Sequence, residues 1–192
     1  MPPPEDHDAS GLIRLFVALD LTERVCDVLS QWAAQAVGRI DGVRLIEPGS
    51  LHVTLCFLGI RPAAQTREIA SACETVAGAR VGELALAEPA WLPGRRPRVL
   101  GVGVVDDGGR LADVREQLAV HLGRWYDREA RPFFPHVTVA RVRPRARIKP
   151  VALTPPPPLR FPAEKVTLYR SDLGSGPARY VPLHHIRLAT RT

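Results

Sequence analysis

The chain is predicted to fold as an α+β protein on largely antiparallel sheet, arranged as two related halves. Three observations predict this. Helical periodicities are separated by pairs of strand-length runs, not single strands, which argues against a doubly wound parallel sheet. The runs LHVTLCFLG and RPFFPHVTVARV alternate in polarity, as strands with one wet face do. The tripeptide His-Val-Thr occurs at His52 and again at His136, about half a chain later, each time in a strand that follows a proline-containing turn.

The elements follow in order. Met1 to Ser10 is rich in proline and acid and is expected to form a tail, leaving 11–192 as a single bilobal domain. Leu12 to Leu19 is an apolar run of strand length. From Thr22 to Val37, Val25, Val28, Leu29, Trp32, Ala33 and Ala36 recur at helical spacing, with Thr22 placed as N-cap and Gly38 as the stop. Val43 to Ile46 reads as a short strand. LHVTLCFLG then alternates, placing His52, Thr54 and Cys56 on one face and Val53, Leu55 and Phe57 on the other. A helix is expected over 63–79, strands over 83–88 and 98–105, and a third helix over 110–126. The run RPFFPHVTVARV alternates again, with His136 and Thr138 on one face. Pro150 to Pro158 is too proline-rich for regular structure. Strands over 165–169 and 178–188 complete the chain.

Composition narrows the class. The chain has 192 residues, 45% of them hydrophobic, enough for a buried core. Its net charge of +6 favours an anionic partner. The basic charge is nearly all arginine, Lys149 and Lys165 being the two lysines, and a genome's base composition can also produce that bias. Cys26, Cys56 and Cys73 are widely spaced and odd in number, which favours reduced, structural thiols over zinc or a redox dithiol. The N-terminus lacks the pattern of a secretory leader, and no apolar run approaches the ~18 residues of a membrane span. A soluble cytoplasmic monomer with no membrane partner is expected.

The chemistry explains the motif. Residues two apart on a strand project the same way, so an imidazole and a hydroxyl can reach one anion together. Cleaving a phosphodiester takes a base for the attacking oxygen and an acid for the leaving oxygen, on opposite sides of phosphorus, and histidine suits both roles near neutral pH. Two threonine hydroxyls can hold the non-bridging oxygens. No metal or other cofactor is required by this scheme. One histidine on a half-buried strand is more often structural than catalytic; the pair carries the reading. Zinc is the weaker alternative, since no third ligand stands at recognisable spacing.

Several segments in order, RLFVALDL, LHVTLCFLG, PRVLGVGV, RPFFPHVTVAR and VTLYRSDLGSGPARYVPL, resemble the 2H phosphoesterases, and within them the RNA 2',3'-cyclic phosphodiesterases once described as 2'-5' RNA ligases. The resemblance implies a bilobal α+β fold, two pseudo-symmetric lobes of mainly antiparallel sheet with outer helices, and a central groove holding both motifs. It implies hydrolysis of a terminal 2',3'-cyclic phosphate to a 2'-phosphomonoester, with His52 as general acid and His136 as general base. Thr54 and Thr138 would bind phosphate oxygens, and Arg141, which matches a basic residue that follows the second motif, would bind phosphate. Gly101 stands where an aromatic is frequent and Phe134 where a basic residue often precedes Pro-His. Phe134 could stack on a base or simply fill the rim.

Regular parity points Arg141 away from His136, so a role in the site requires a bulge or bend. Arg141, Arg143, Arg145, Arg147 and Lys149 alternate, either as a phosphate-binding edge or as a solvated loop. His7, His121, His184 and His185 lack a partner threonine and are assigned no chemistry. The expected partner is RNA with a cyclic phosphate end, or a small cyclic nucleotide. The competing functions are a phosphodiesterase for another cyclic or 2'-5'-linked nucleotide and a non-catalytic RNA-binding module.

Overall fold

The computed structural model describes residues 11–128, 130–172 and 178–189; the predicted tail, His7 included, lies outside the described residues. The strands are β1 (Leu12–Asp20), β2 (Val43–Leu45), β3 (His52–Pro62), β4 (Glu83–Leu92), β5 (Val99–Val105), β6 (His136–Val142), β7 (Arg160–Pro162), β8 (Lys165–Asp172) and β9 (Arg179–Arg187). The helices are α1 (Glu23–Val37), α2 (Thr66–Cys73) and α3 (Arg110–His121).

The strands run β7-β4-β5-β6-β3-β1-β8-β9 across the sheet, with β2 also on β6. Every pairing between these strands is antiparallel. The sheet divides at its middle: β3 and β6 share a single register pair, Val53 with Val137, and diverge on either side of it. One half is β3-β1-β8-β9 and the other β6-β5-β4-β7. The expected two-part α+β fold with a central groove is therefore present, and the two motif strands form the seam.

The helices interlock the halves. Helix α1 follows β1 yet packs against β2 and β6, and α3 follows β5 yet packs against β3 and α2. The apolar stripe of α1 is why: Val25, Leu29, Trp32, Ala33 and Val37 are buried at helical spacing. One hydrophobic cluster consequently spans both halves, with Leu15, Leu29, Leu58, Leu118 and Leu168 fully buried. Each such side chain contributes roughly 1.5–3 kcal/mol by leaving water.

Several boundaries differ from expectation. The helix expected over 63–79 is an eight-residue α-helix flanked by single 3-10 turns, and α3 stops at His121 rather than 126. Gly123 follows that stop, a residue whose conformational freedom favours leaving the helix. Strand β4 continues past Glu88 because a register shift between Leu86 and Pro89 accommodates the proline, which cannot donate to a ladder. Strand β6 begins at His136, after Pro132 and Pro135, later than the alternation suggested. Thr22 occupies the N-cap position with extended backbone, but its hydroxyl makes no capping bond. The proline-rich connection is irregular, as expected, and two indoles tie it down: Trp32 Nε1 donates to Thr154 O (3.0 Å) and Trp91 Nε1 to Val151 O (3.1 Å).

Candidate active site

Both motifs carry the same irregularity immediately after their threonine. On β3, Ala18 pairs with Thr54 and Val17 with Cys56, so Leu55 is an extra residue; on β6, Gly101 pairs with Thr138 and Leu100 with Ala140, so Val139 is extra. A one-residue bulge reverses side-chain parity beyond it. Two consequences follow. Cys56 is fully buried behind the sheet rather than on the face of His52 and Thr54, correcting the alternation, and Phe57 emerges in its place. Arg141, for the same reason, comes onto the face of Thr138: the bulge required for it to reach the site exists. Phe57 and Arg141 are thus equivalent positions, each five residues after its histidine.

The two imidazoles are held alike. His52 Nδ1 is 2.8 Å from Ser50 O and His136 Nδ1 is 2.9 Å from Phe134 O. A carbonyl can only accept, so Nδ1 carries the proton in both rings and Nε2 is the nitrogen left for chemistry. In neutral His52, Nε2 accepts from Thr54 Oγ1 at 3.1 Å. Around His52 the packing is aromatic: Phe16 lies 4.9 Å away between centroids and Tyr180 meets the ring edge-on at 5.2 Å. Phe134 stacks on His136 at 5.5 Å and 18°. Gly101 makes room for the second ring, because a Cβ there would stand 2.9 Å from His136 Cδ2.

Burial pushes the His52 imidazole below its ordinary pKa, since a charged ring loses hydration there; Arg141 and His136 push it further the same way. The Ser50 carbonyl and the Asp20 carboxylate oppose them. Asp20, which pairs in register with His52, is itself held by Thr167 Oγ1 (2.9 Å), Tyr169 Oη (2.9 Å) and Lys165 Nζ (3.1 Å).

A cavity of about 280 Å³ opens beside His52 and Thr54, lined further by Arg14, Phe16, Arg44, Phe57, Arg141 and Tyr180. No carboxylate pairs with Arg14, Arg44 or Arg141 among the described residues. Phe57, Arg14 and Arg44 were not singled out from the sequence; a bulge leaves no mark in an apolar-polar pattern. The basic series after Arg141 does not form a regular edge. The chain leaves β structure after Val142, and Arg145 adopts a left-handed φ of 68°, which breaks the alternation. The other histidines have local partners: His121 the Gln117 carbonyl, His184 the Glu74 carboxylate and His185 the Thr167 hydroxyl.

Two histidine-threonine pairs set about a pseudo-two-fold seam, with an arginine-lined cavity beside the first of them, are the arrangement of a 2H phosphoesterase. Comparison with known proteins agrees. The 2'-5' RNA ligase superfamily model matches residues 27–175, and the chain belongs to that superfamily of 2H phosphoesterases. A Thermus thermophilus protein named RNA 2',3'-cyclic phosphodiesterase is 32% identical over 178 residues, covering 84% of this chain and 83% of that one. A Geobacillus stearothermophilus protein of the same name is 27% identical over 84% of this chain, which spans about half of that relative (53%). Among solved structures, E. coli LigT complexed with 3'-AMP superposes with a TM-score of 0.78 at 26% identity, over 93% of this chain and 99% of that one.

Proposed function

We propose that this protein hydrolyses RNA 2',3'-cyclic phosphate ends to 2'-phosphomonoesters by histidine acid-base catalysis without a metal. The observation that carries the reading is the in-register pairing of Val53 with Val137. Because the strands are antiparallel, His52 and Thr138 lie to one side of that pair and Thr54 and His136 to the other, so an anion at the seam meets two imidazoles from opposite directions. The names of the Thermus and Geobacillus relatives support the cyclic phosphate as substrate, and LigT complexed with 3'-AMP supports a nucleotide in the groove.

His136 Nε2 takes a proton from water as its oxygen attacks phosphorus. The bond from phosphorus to the 3'-oxygen breaks, and protonated His52 gives its Nε2 proton to that oxygen, leaving a 3'-hydroxyl and a 2'-phosphate. Thr54 and Thr138 donate to the non-bridging oxygens, and Arg141 offsets the charge that gathers there. Phe134 presents an exposed face to a base. The lowered pKa of free His52 is compatible with an acid role because the bound phosphate anion favours its protonated form.

The test is incubation of the protein in EDTA with nucleoside 2',3'-cyclic phosphates and a short RNA ending in one, with separation of 2'- from 3'-phosphate products. A 2'-phosphate product that disappears in His52→Ala and His136→Ala supports the reading. Absence of turnover on every such substrate sinks it.

A further inference from the structure

The cyclic phosphate carries one negative charge, and Arg141 is the cation assigned to it. Arg14 and Arg44 line the same cavity and are left over. Arg44 stands directly opposite Arg141 in the β2–β6 ladder. Like charges directly across two strands destabilise the pair, and neither has a carboxylate partner among the described residues. The Arg14 guanidinium lies 4.6 Å above the Phe57 ring centroid, an arrangement that fixes the cation while leaving its N–H groups free. Phe57 is 42% exposed, a large share for a ring on a sheet face beside a cavity. Unneutralised guanidiniums next to an exposed ring match the two parts of a nucleotide, phosphate and base.

We propose that this cavity is a second-nucleotide subsite: Arg14 and Arg44 take the phosphodiester adjoining the cyclic end, Phe57 takes a base, and the enzyme thereby selects oligonucleotide ends over mononucleosides. The inference rests on the cyclic-phosphodiesterase reading for the placement of the reacting phosphate at the seam. The asymmetry of the two motifs gives the groove its direction. Arg141 serves the reacting phosphate, while Phe57, at the equivalent position on β3, faces the neighbouring nucleotide.

The experiment is calorimetric titration of the full chain with three ligands across a KCl series: a nucleoside 2'-phosphate, a nucleoside 2',5'-bisphosphate, and a dinucleotide ending in a 2'-phosphate. Arg14→Gln and Arg44→Gln are titrated alongside. Arg44→Gln removes a like-charge contact, so its melting temperature is expected to match or exceed that of the parent. The dinucleotide is expected to bind at least ten-fold more tightly than the nucleoside 2'-phosphate, and its salt slope to be steeper by about 0.7 for the one added phosphate contact. Each variant is expected to remove most of that advantage. Equal affinities for the nucleoside 2'-phosphate and the dinucleotide, or an advantage that survives in both variants, overturns the subsite. A bisphosphate that binds as tightly as the dinucleotide assigns the arginines to a free nucleotide's 5'-phosphate and overturns oligonucleotide selection. An Arg14- and Arg44-dependent dinucleotide advantage in a protein that turns over no cyclic phosphate upholds the subsite and removes the hydrolytic reading instead.

Discussion

Val53 and Val137, each the centre of a His-Val-Thr triplet, face one another across the seam where the two halves of the sheet meet. Both are fully buried, which turns the flanking histidines and threonines to the opposite face of the sheet. The pair brings two remote stretches of sequence, and with them both His-Val-Thr triplets, side by side.

His52→Ala and His136→Ala are each expected to reduce cyclic-phosphate turnover by ~10²-fold or more, the usual scale of a positioned acid or base. Steady-state rates with a matching circular dichroism spectrum check this. A near-normal rate in either variant removes that histidine from the mechanism.

The pH dependence follows from the lowered pKa of His52. An acid must be protonated, so kcat/KM, which reports the free enzyme, is expected to fall as pH rises through a value below the ordinary histidine pKa of about 6.5. The bound phosphate anion raises that pKa, so the corresponding fall in kcat is expected at higher pH. Stability carries the opposite sign. A histidine whose folded pKa is depressed favours the fold while neutral, so its contribution is present above about pH 6.5 and is lost as pH falls toward the folded value. Urea melts of wild type and His52→Asn between pH 5 and 7.5 check the second point: the variant is expected to lose less stability on acidification.

Arg141→Gln is expected to lower kcat/KM by roughly 10²-fold, the scale of a lost charge-stabilising donor, and Arg141→Lys by less, because a point charge replaces part of the fork. If both variants keep wild-type kinetics, the bulge at Val139 places Arg141 in the groove without a catalytic consequence.

Gly101→Ala tests the packing behind His136. The added Cβ would stand 2.9 Å from His136 Cδ2, so the ring must move. Misplacement of a catalytic group by about 1 Å can cost up to 10²-fold, and a drop in kcat of roughly ten-fold or more is expected with folding retained. An unchanged kcat would mean the ring shifts without consequence.

Burial pushes the Cys56 and Cys73 thiols up to about 12, so neither supplies thiolate near neutral pH. In native protein, iodoacetamide is expected to leave both unmodified, with Cys26, the partly exposed thiol, reacting first; in denaturant all three are expected to react. Mass mapping after brief labelling decides it.

Much of this was legible along the chain. Alternation, apolar runs and helical spacing locate the two motif strands and the three helices, because burial of one face imposes a period on sequence whatever the later packing. The three-residue β7 at the sheet edge is too short to show such a period and was not read from the sequence. The repeated triplet marks His52, Thr54, His136 and Thr138 on the same grounds. Arg141 shows where such reading stops. Strict alternation places it behind the sheet, and what brings it forward is one surplus residue, Val139, that no partner on β5 opposes. Cys56 and Phe57 exchange faces for the same reason.

The sequence by itself determined the element types, the two motifs and the chemistry that imidazole and hydroxyl side chains can do together, since these depend on neighbours within a few residues. Only the tertiary structure decided that Val53 meets Val137, that Arg44 stands opposite Arg141, and that Arg14 lies over Phe57. Those relations depend on register between strands remote in sequence, which is set by how the interlocked helices and bulged strands bury their apolar faces together.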